Sequence, residues 1–223
     1  MSKMREPKGS AGGGRRATRA IVALLAGSML AGAFAGCGPR ATSLYEKVLG
    51  SPGYARTTES LTRTREVRDG LDTRFILSAT WLSPEWATAF SEEYANIYYL
   101  DPARKERVVS EWKGESERYA RFFVSLSTPD EKGNDLEKPG TLWSLRLVRA
   151  DEKDFQPAYV RKTSFKAEEV ARFFPYAGAW YRGYEVAFPK EAAEPVSPKP
   201  GEPRMKLVLS GVEGRAVLVW EQK

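Results

Sequence analysis

The sequence predicts an α+β fold rich in β structure: an antiparallel sheet or β-sandwich of about eight strands, with two to three helices on one face or end. Two observations carry this. Apolar and polar residues alternate in several short runs bounded by turn residues, the period of half-buried strands. Helical spacing of three and four is confined to the segment after the first hairpin and a shorter one later. The strands follow one another in hairpins, which argues against the strand-helix alternation of a parallel fold.

Taken in order, Leu44-Tyr45-Glu46-Lys47-Val48-Leu49 reads as a short helix ended by Gly50 and Pro52. Residues 57–68 are rich in Thr and Arg, and 71–82 alternate Phe75, Leu77, Ala79 and Trp81 against Arg74, Ile76, Ser78 and Thr80; Asp69-Gly70 between them marks a hairpin. Ser83 caps a helix with Pro84 at its first position, and Trp86, Phe90, Tyr94, Ile97 and Tyr98 form its core stripe. Asp101-Pro102 repeats the start signal for a helix to about Glu115, with Val108, Val109 and Trp112 inward. Strands then follow at Phe122, Val124, Leu126 and at Trp143, Leu145, Leu147, separated by a polar loop with Gly133-Asn134-Asp135 and Pro139-Gly140. Ser164 to Phe174 reads as a short helix stopped by Pro175. Trp180, Tyr184, Val186 and Phe188 alternate along another strand, and after an exposed Pro-rich loop from Glu191 to Pro203, Met205, Leu207 and Leu209 pair with Leu218 and Trp220 across Gly211-Val212-Glu213-Gly214.

The amino-terminal segment has a different character. Lys3, Arg5, Lys8, Arg15, Arg16 and Arg19 face one acid, Glu6, and an uncharged apolar run from Ala20 to Gly36 follows. That run is shorter than the ~20 residues of a stable span, so cleavage fits better than insertion. It ends Phe34-Ala35-Gly36-Cys37, small residues before a cysteine, and resembles the lipobox of bacterial lipoproteins; Phe34 stands where that motif has an aliphatic residue. The resemblance implies cleavage between Gly36 and Cys37, a diacylglycerol on Cys37 and an acylated new amino terminus. It divides the chain into a signal peptide (1–36), a lipidated cysteine with a short tether (37–43) and one globular domain (44–223). It also implies a place in the cell envelope, with the bilayer as partner through Cys37. Gly38 after the cysteine implies the outer membrane, facing the periplasm. A six-residue tether reaches about 20 Å, which keeps the domain near the membrane surface.

Five of the six net positive charges belong to the leader, because the chain from Cys37 onward carries 29 basic and 28 acidic residues. No whole-domain field directs it to nucleic acid. Cys37 is the only cysteine, so the domain has no disulfide and must fold on its core alone. No cofactor is implied.

The chain has no histidine, which removes the usual general base and the usual transition-metal ligand. Ser110-Glu111-Trp112-Lys113 matches the Ser-x-x-Lys pattern of penicillin-binding proteins, and Lys162-Thr163-Ser164 echoes their Lys-Thr-Gly element, but the Ser-Asp-Asn element is missing. Asp130-Glu131-Lys132-Gly133-Asn134-Asp135 gathers oxygen ligands without the spacing of a calcium loop, and reads as a solvated turn. In the aromatic segment 173–184, alternation sends Trp180 and Tyr184 to the core and leaves Tyr181 and Tyr176 for a binding surface suited to sugar rings or a peptide. The expectation is a non-enzymatic envelope lipoprotein that binds another envelope protein or cell-wall material. A hydrolase using carboxylates or a Ser-Lys pair is the alternative.

Overall fold

Turn chemistry and helix caps fix the chain's changes of direction. Gly70 takes φ +60°, a conformation that costs glycine little, and closes the first hairpin. Ser83 Oγ accepts a hydrogen bond from Trp86 N at 3.2 Å, and Asp101 Oδ1 one from Arg104 N at 2.9 Å, each with proline at the first helical position. A computed structural model describes residues 51–178, 180–196 and 202–221. In chain order it has α1 (Pro52–Leu61), β1 (Thr62–Asp69), β2 (Asp72–Trp81), α2 (Pro84–Ile97), α3 (Pro102–Arg118), β3 (Tyr119–Ser127), β4 (Ser144–Arg149), β5 (Asp154–Phe155), β6 (Tyr159–Lys162), α4 (Ala167–Phe173), β7 (Tyr181–Pro189), β8 (Pro203–Gly211) and β9 (Gly214–Glu221).

The strands form two antiparallel sheets, one of five in the order β1-β2-β3-β7-β6 and one of four in the order β5-β4-β8-β9. Their facing sides interdigitate in one core. Phe75, Leu77, Phe122, Val124 and Leu126 come from the first sheet, and Leu147, Leu207, Leu209, Leu218 and Trp220 from the second. A second core covers the opposite side of the five-stranded sheet, where Phe123 meets Tyr54, Trp86, Phe90, Phe173 and Phe174 of the helical layer. Phe123 and Phe174 stack with ring centroids 3.9 Å apart. The fold class is therefore as the alternation predicts, β-rich α+β with the helices on one face. The inner strands β3 and β7 of the five-stranded sheet are buried on both sides.

Several elements differ from the sequence reading. There are nine strands and four α-helices among the described residues. The segment from Pro52 is a helix and leads into β1, where the sequence reading takes Pro52 as a stop and begins the strand at 57. Proline suits the first helical turn as well as it ends a helix. β5 and β6, two and four residues long, are too short to show a period. In α2, Trp86 and Phe90 are fully buried, Tyr94 and Ile97 partly so, and Tyr98 lies outside as the C-cap. α3 continues to Arg118, and Val108, Val109 and Trp112 are only half-buried. Trp180 is not in the core: it is 81 % exposed, because its φ of +66° breaks the alternation just before β7 begins. The signal peptide, Gly36, Cys37, the tether, the helix expected at 44–49 and residues 197–201 of the Pro-rich loop lie outside the described residues.

Candidate functional site

The turns of both sheets meet at one end of the sandwich. The β1–β2 turn, the β3–β4 loop and the β8–β9 turn surround a pocket of about 690 Å³, within the range of small-ligand sites. The loop is anchored from below. Tyr184 Oη donates to Asn134 O at 2.9 Å and Oδ1 at 2.8 Å, and Asn134 Nδ2 donates to Leu126 O at 2.7 Å. Burial pushes the Tyr184 phenol up to about 12, so it remains a donor.

Trp143 forms an apolar wall. Its Nε1 donates to Gly133 O at 2.7 Å, and its ring meets Phe75 edge-on at 5.0 Å. A Cβ on Gly211 would lie 2.8 Å from Trp143 Cε3, so glycine is what lets the β8–β9 turn close over the indole. Arg74 links the two turns, with Nη2 at 2.7 Å from Asp69 and Nη1 at 3.5 Å from Glu213. Asp72, Asp130, Asp135 and Lys132 complete a lining that carries both signs of charge. Around it, Leu71, Leu142 and Val212 stand 97 %, 72 % and 79 % exposed, at positions where turns ordinarily place small or polar residues.

The acid-rich stretch 130–135 thus lines a pocket, but its carboxylates serve the loop. Asp130 Oδ1 accepts from Lys132 N at 2.9 Å, and Asp135 Oδ1 accepts from Thr141 Oγ1 at 2.8 Å. Among the described residues no group of three or more acids, histidines or cysteines is placed to hold a metal.

Tyr176 and Tyr181 lie elsewhere, half-buried against the helical core. The Tyr176 hydroxyl is hydrogen-bonded to that of Thr80, and burial raises the Tyr181 phenol's pKa. The exposed aromatic beside them is Trp180, whose carbonyl accepts from Ser127 Oγ at 3.1 Å. Ser110 and Lys113 are both exposed on α3, and no hydrogen bond joins them among the described residues. Lys162 pairs with Glu137 at 3.3 Å, and Ser164 turns to Glu185, so both ends of the Lys-Thr-Ser element are engaged by carboxylates.

Glu185 is the polar centre that the sequence reading misses. Alternation places it outward with Tyr181, yet it is 3 % exposed, because the helical layer covers that face of β7. Its Oε1 accepts from Ser164 N at 2.9 Å and Ser164 Oγ at 2.8 Å, and its Oε2 from Arg161 Nη2 at 2.7 Å. Buried Arg121 lies 3.7 Å from Oε2, 3.6 Å from Glu115, and over the Trp112 ring at 5.0 Å. Burial pushes the Glu185 pKa upward, but the hydrogen bonds from Ser164 and Arg161 outweigh it and the net displacement is downward. These contacts fasten α3 and residues 163–165 to the sheet.

Compared with known proteins, the chain matches no family model, no curated protein and no solved structure.

Proposed function

We propose that this chain is a lipid-anchored envelope lipoprotein that acts by binding, and that the pocket at the loop end of the sandwich takes cell-wall material, a polar glycan-peptide. The observation that carries the binding site is the pocket itself: an indole wall, a lining with both carboxylates and cations, and an apolar rim on three separate turns. A glycan-peptide offers ring faces to Trp143 and both charge signs to Arg74, Lys132 and the acids. The tether rests on the apolar run that ends at Cys37. Gly38 supports an outer-membrane location facing the periplasm.

Two measurements test the two parts. Cells fed a palmitate analogue should label the protein, and Cys37→Ala should abolish the label and accumulate precursor; equal labelling of that variant refutes the anchor. For the site, calorimetric titration of the detergent-solubilised full chain with soluble wall fragments should show saturable binding. Leu142→Ser with Lys132→Ala, both at exposed positions, should weaken it by about tenfold or more at an unchanged melting temperature. Absence of binding, or equal binding by the variant, refutes the pocket assignment.

A further inference from the structure

The opposite end of the sandwich holds a second cleft, of about 420 Å³, where β1, β3 and β8 begin and β2 and β9 end. Three cations converge on it: Arg63, Lys190 and Arg204. Two of them lie over indoles, Arg204 over Trp81 at 4.7 Å and Arg63 over Trp220 at 5.9 Å. Stacking of this kind holds a guanidinium flat while leaving its edge to bond a partner.

What holds these cations in place is neutral. Arg204 Nε donates to Ala193 O at 2.8 Å. Arg63 Nε donates to Val219 O at 2.9 Å, and its Nη1 to Ser60 O and Thr62 O. Lys190 Nζ donates to Glu117 O at 2.9 Å, at the carboxyl end of α3. Among the described residues none of the three forms an ion pair with a carboxylate, although Glu85, Glu194 and Glu221 lie on the cleft's exposed rim. Arg68, Arg74, Arg149 and Arg161, by contrast, each sit on one. The N–H groups of Arg204 Nη1 and Nη2 have no protein acceptor among the described residues, so a charged fork stays unspent beside the cleft. The site is desolvated enough that burial alone lowers the Arg204 pKa.

The geometry points to a phosphate-binding site in this cleft, with Arg204, Arg63 and Lys190 engaging the oxygens and Trp81 and Trp220 holding the two guanidinium planes. Three cationic groups exceed what the two oxygens of a carboxylate engage, and they suit the three or four of a phosphate. The phosphate can belong to a soluble metabolite or to a phospholipid headgroup. The site stands independently of the loop-end pocket and of the lipid on Cys37.

The test uses the full chain in nonionic detergent, labelled with fluorotryptophan, with the Trp81 fluorine resonance assigned through Trp81→Phe. Inorganic phosphate should shift that resonance saturably, beyond any change produced by chloride at equal ionic strength. Micelles doped with phosphatidylglycerol form the second arm. A shift there identifies the headgroup as a source, and a shift with phosphate alone identifies a soluble ligand. Arg204→Gln should weaken the response at least about tenfold, and Lys190→Gln several-fold, at unchanged melting temperatures. Lys190→Gln decides the matter should Arg204→Gln fail to fold. The proposal is overturned by a Trp81 resonance that moves in neither arm, by a shift that chloride reproduces, or by a response undiminished in the folded variants.

Discussion

Glu185 and Trp180 show what a single residue's sequence environment conceals. Both sit on β7 or at its start, and a strict period of two sends Trp180 inward and Glu185 outward. The structure does the reverse, because Trp180 adopts φ +66° before the strand begins and Glu185 faces the helical layer. Alternation is informative only where one face of a strand meets solvent, and β7 has none that does. Nothing local in Tyr184-Glu185-Val186 signals that Arg161 and Ser164, more than twenty residues earlier, will neutralise the acid. The burial makes it consequential. Glu185→Ala should cost about 3–5 kcal/mol, since it leaves buried Arg121 with only the half-exposed Glu115 and strips Arg161 and Ser164 of their shared acceptor. The downward displacement of its pKa sets the pH window. Its contribution is fully present above the unfolded value of about 4.3 and is lost as pH falls through the lower folded value. Urea midpoints measured from about pH 6 to 3 should therefore fall less steeply in Glu185→Gln than in the parent. Parallel curves for the two proteins would contradict this account.

At the scale of elements, legibility followed side-chain size and chain length. α2 announces itself through Ser83-Pro84 and large aromatics at helical spacing; its cap, Trp86 and Phe90 are where that pattern puts them, while Tyr98 is not. α1 has the same periodicity, Tyr54, Ala55, Thr58 and Leu61 inward, but small and polar side chains carry it. Its stability comes from distant partners. Tyr54 Oη donates to Phe173 O at 3.0 Å, and Trp86 Nε1 donates to Thr58 Oγ1 at 3.1 Å. Ser51 makes no side-chain cap bond to mark the start. The loop-end pocket was legible only as turns, because Leu71, Leu142 and Val212 lie more than sixty residues apart in sequence between the first and the second, and only the folded sheets bring them to one end. The stripe of α2 offers an internal comparison. Phe90 touches Trp86, Trp112 and Phe173 with centroids 4.7–4.8 Å away, so Phe90→Ala should cost about 3–5 kcal/mol. Tyr98, at the far end of the same stripe, is 46 % exposed, and Tyr98→Ala should cost about 1 kcal/mol or less. Urea midpoints at constant slope measure both, and equal losses would mean that the helix is buried along its whole length.

Over the whole molecule, one strand ties the two cores together. Along β3, Phe122, Val124 and Leu126 enter the core between the sheets, while Phe123 enters the core beneath the helices. Removing the helical layer would expose Phe123 and uncover Glu185 and Arg121 at the same time; removing the four-stranded sheet would expose the other three residues of that strand. Neither layer leaves behind an intact half with a closed core, and no disulfide is available to hold one, because the only cysteine is Cys37. The domain should therefore unfold in a single transition. The tryptophans sample both cores, and Trp81 packs against each of them. Trp86 and Trp112 lie in or against the helical one, and Trp143 and Trp220 in or against the one between the sheets. In urea, with the chain lacking residues 1–37, tryptophan fluorescence, near-ultraviolet and far-ultraviolet circular dichroism should give coincident midpoints. Phe90→Ala, though it touches only the helical core, should shift all three by the same amount. A fluorescence change that precedes the loss of strand signal would show that the helical layer melts alone, and that β3 does not couple the two cores.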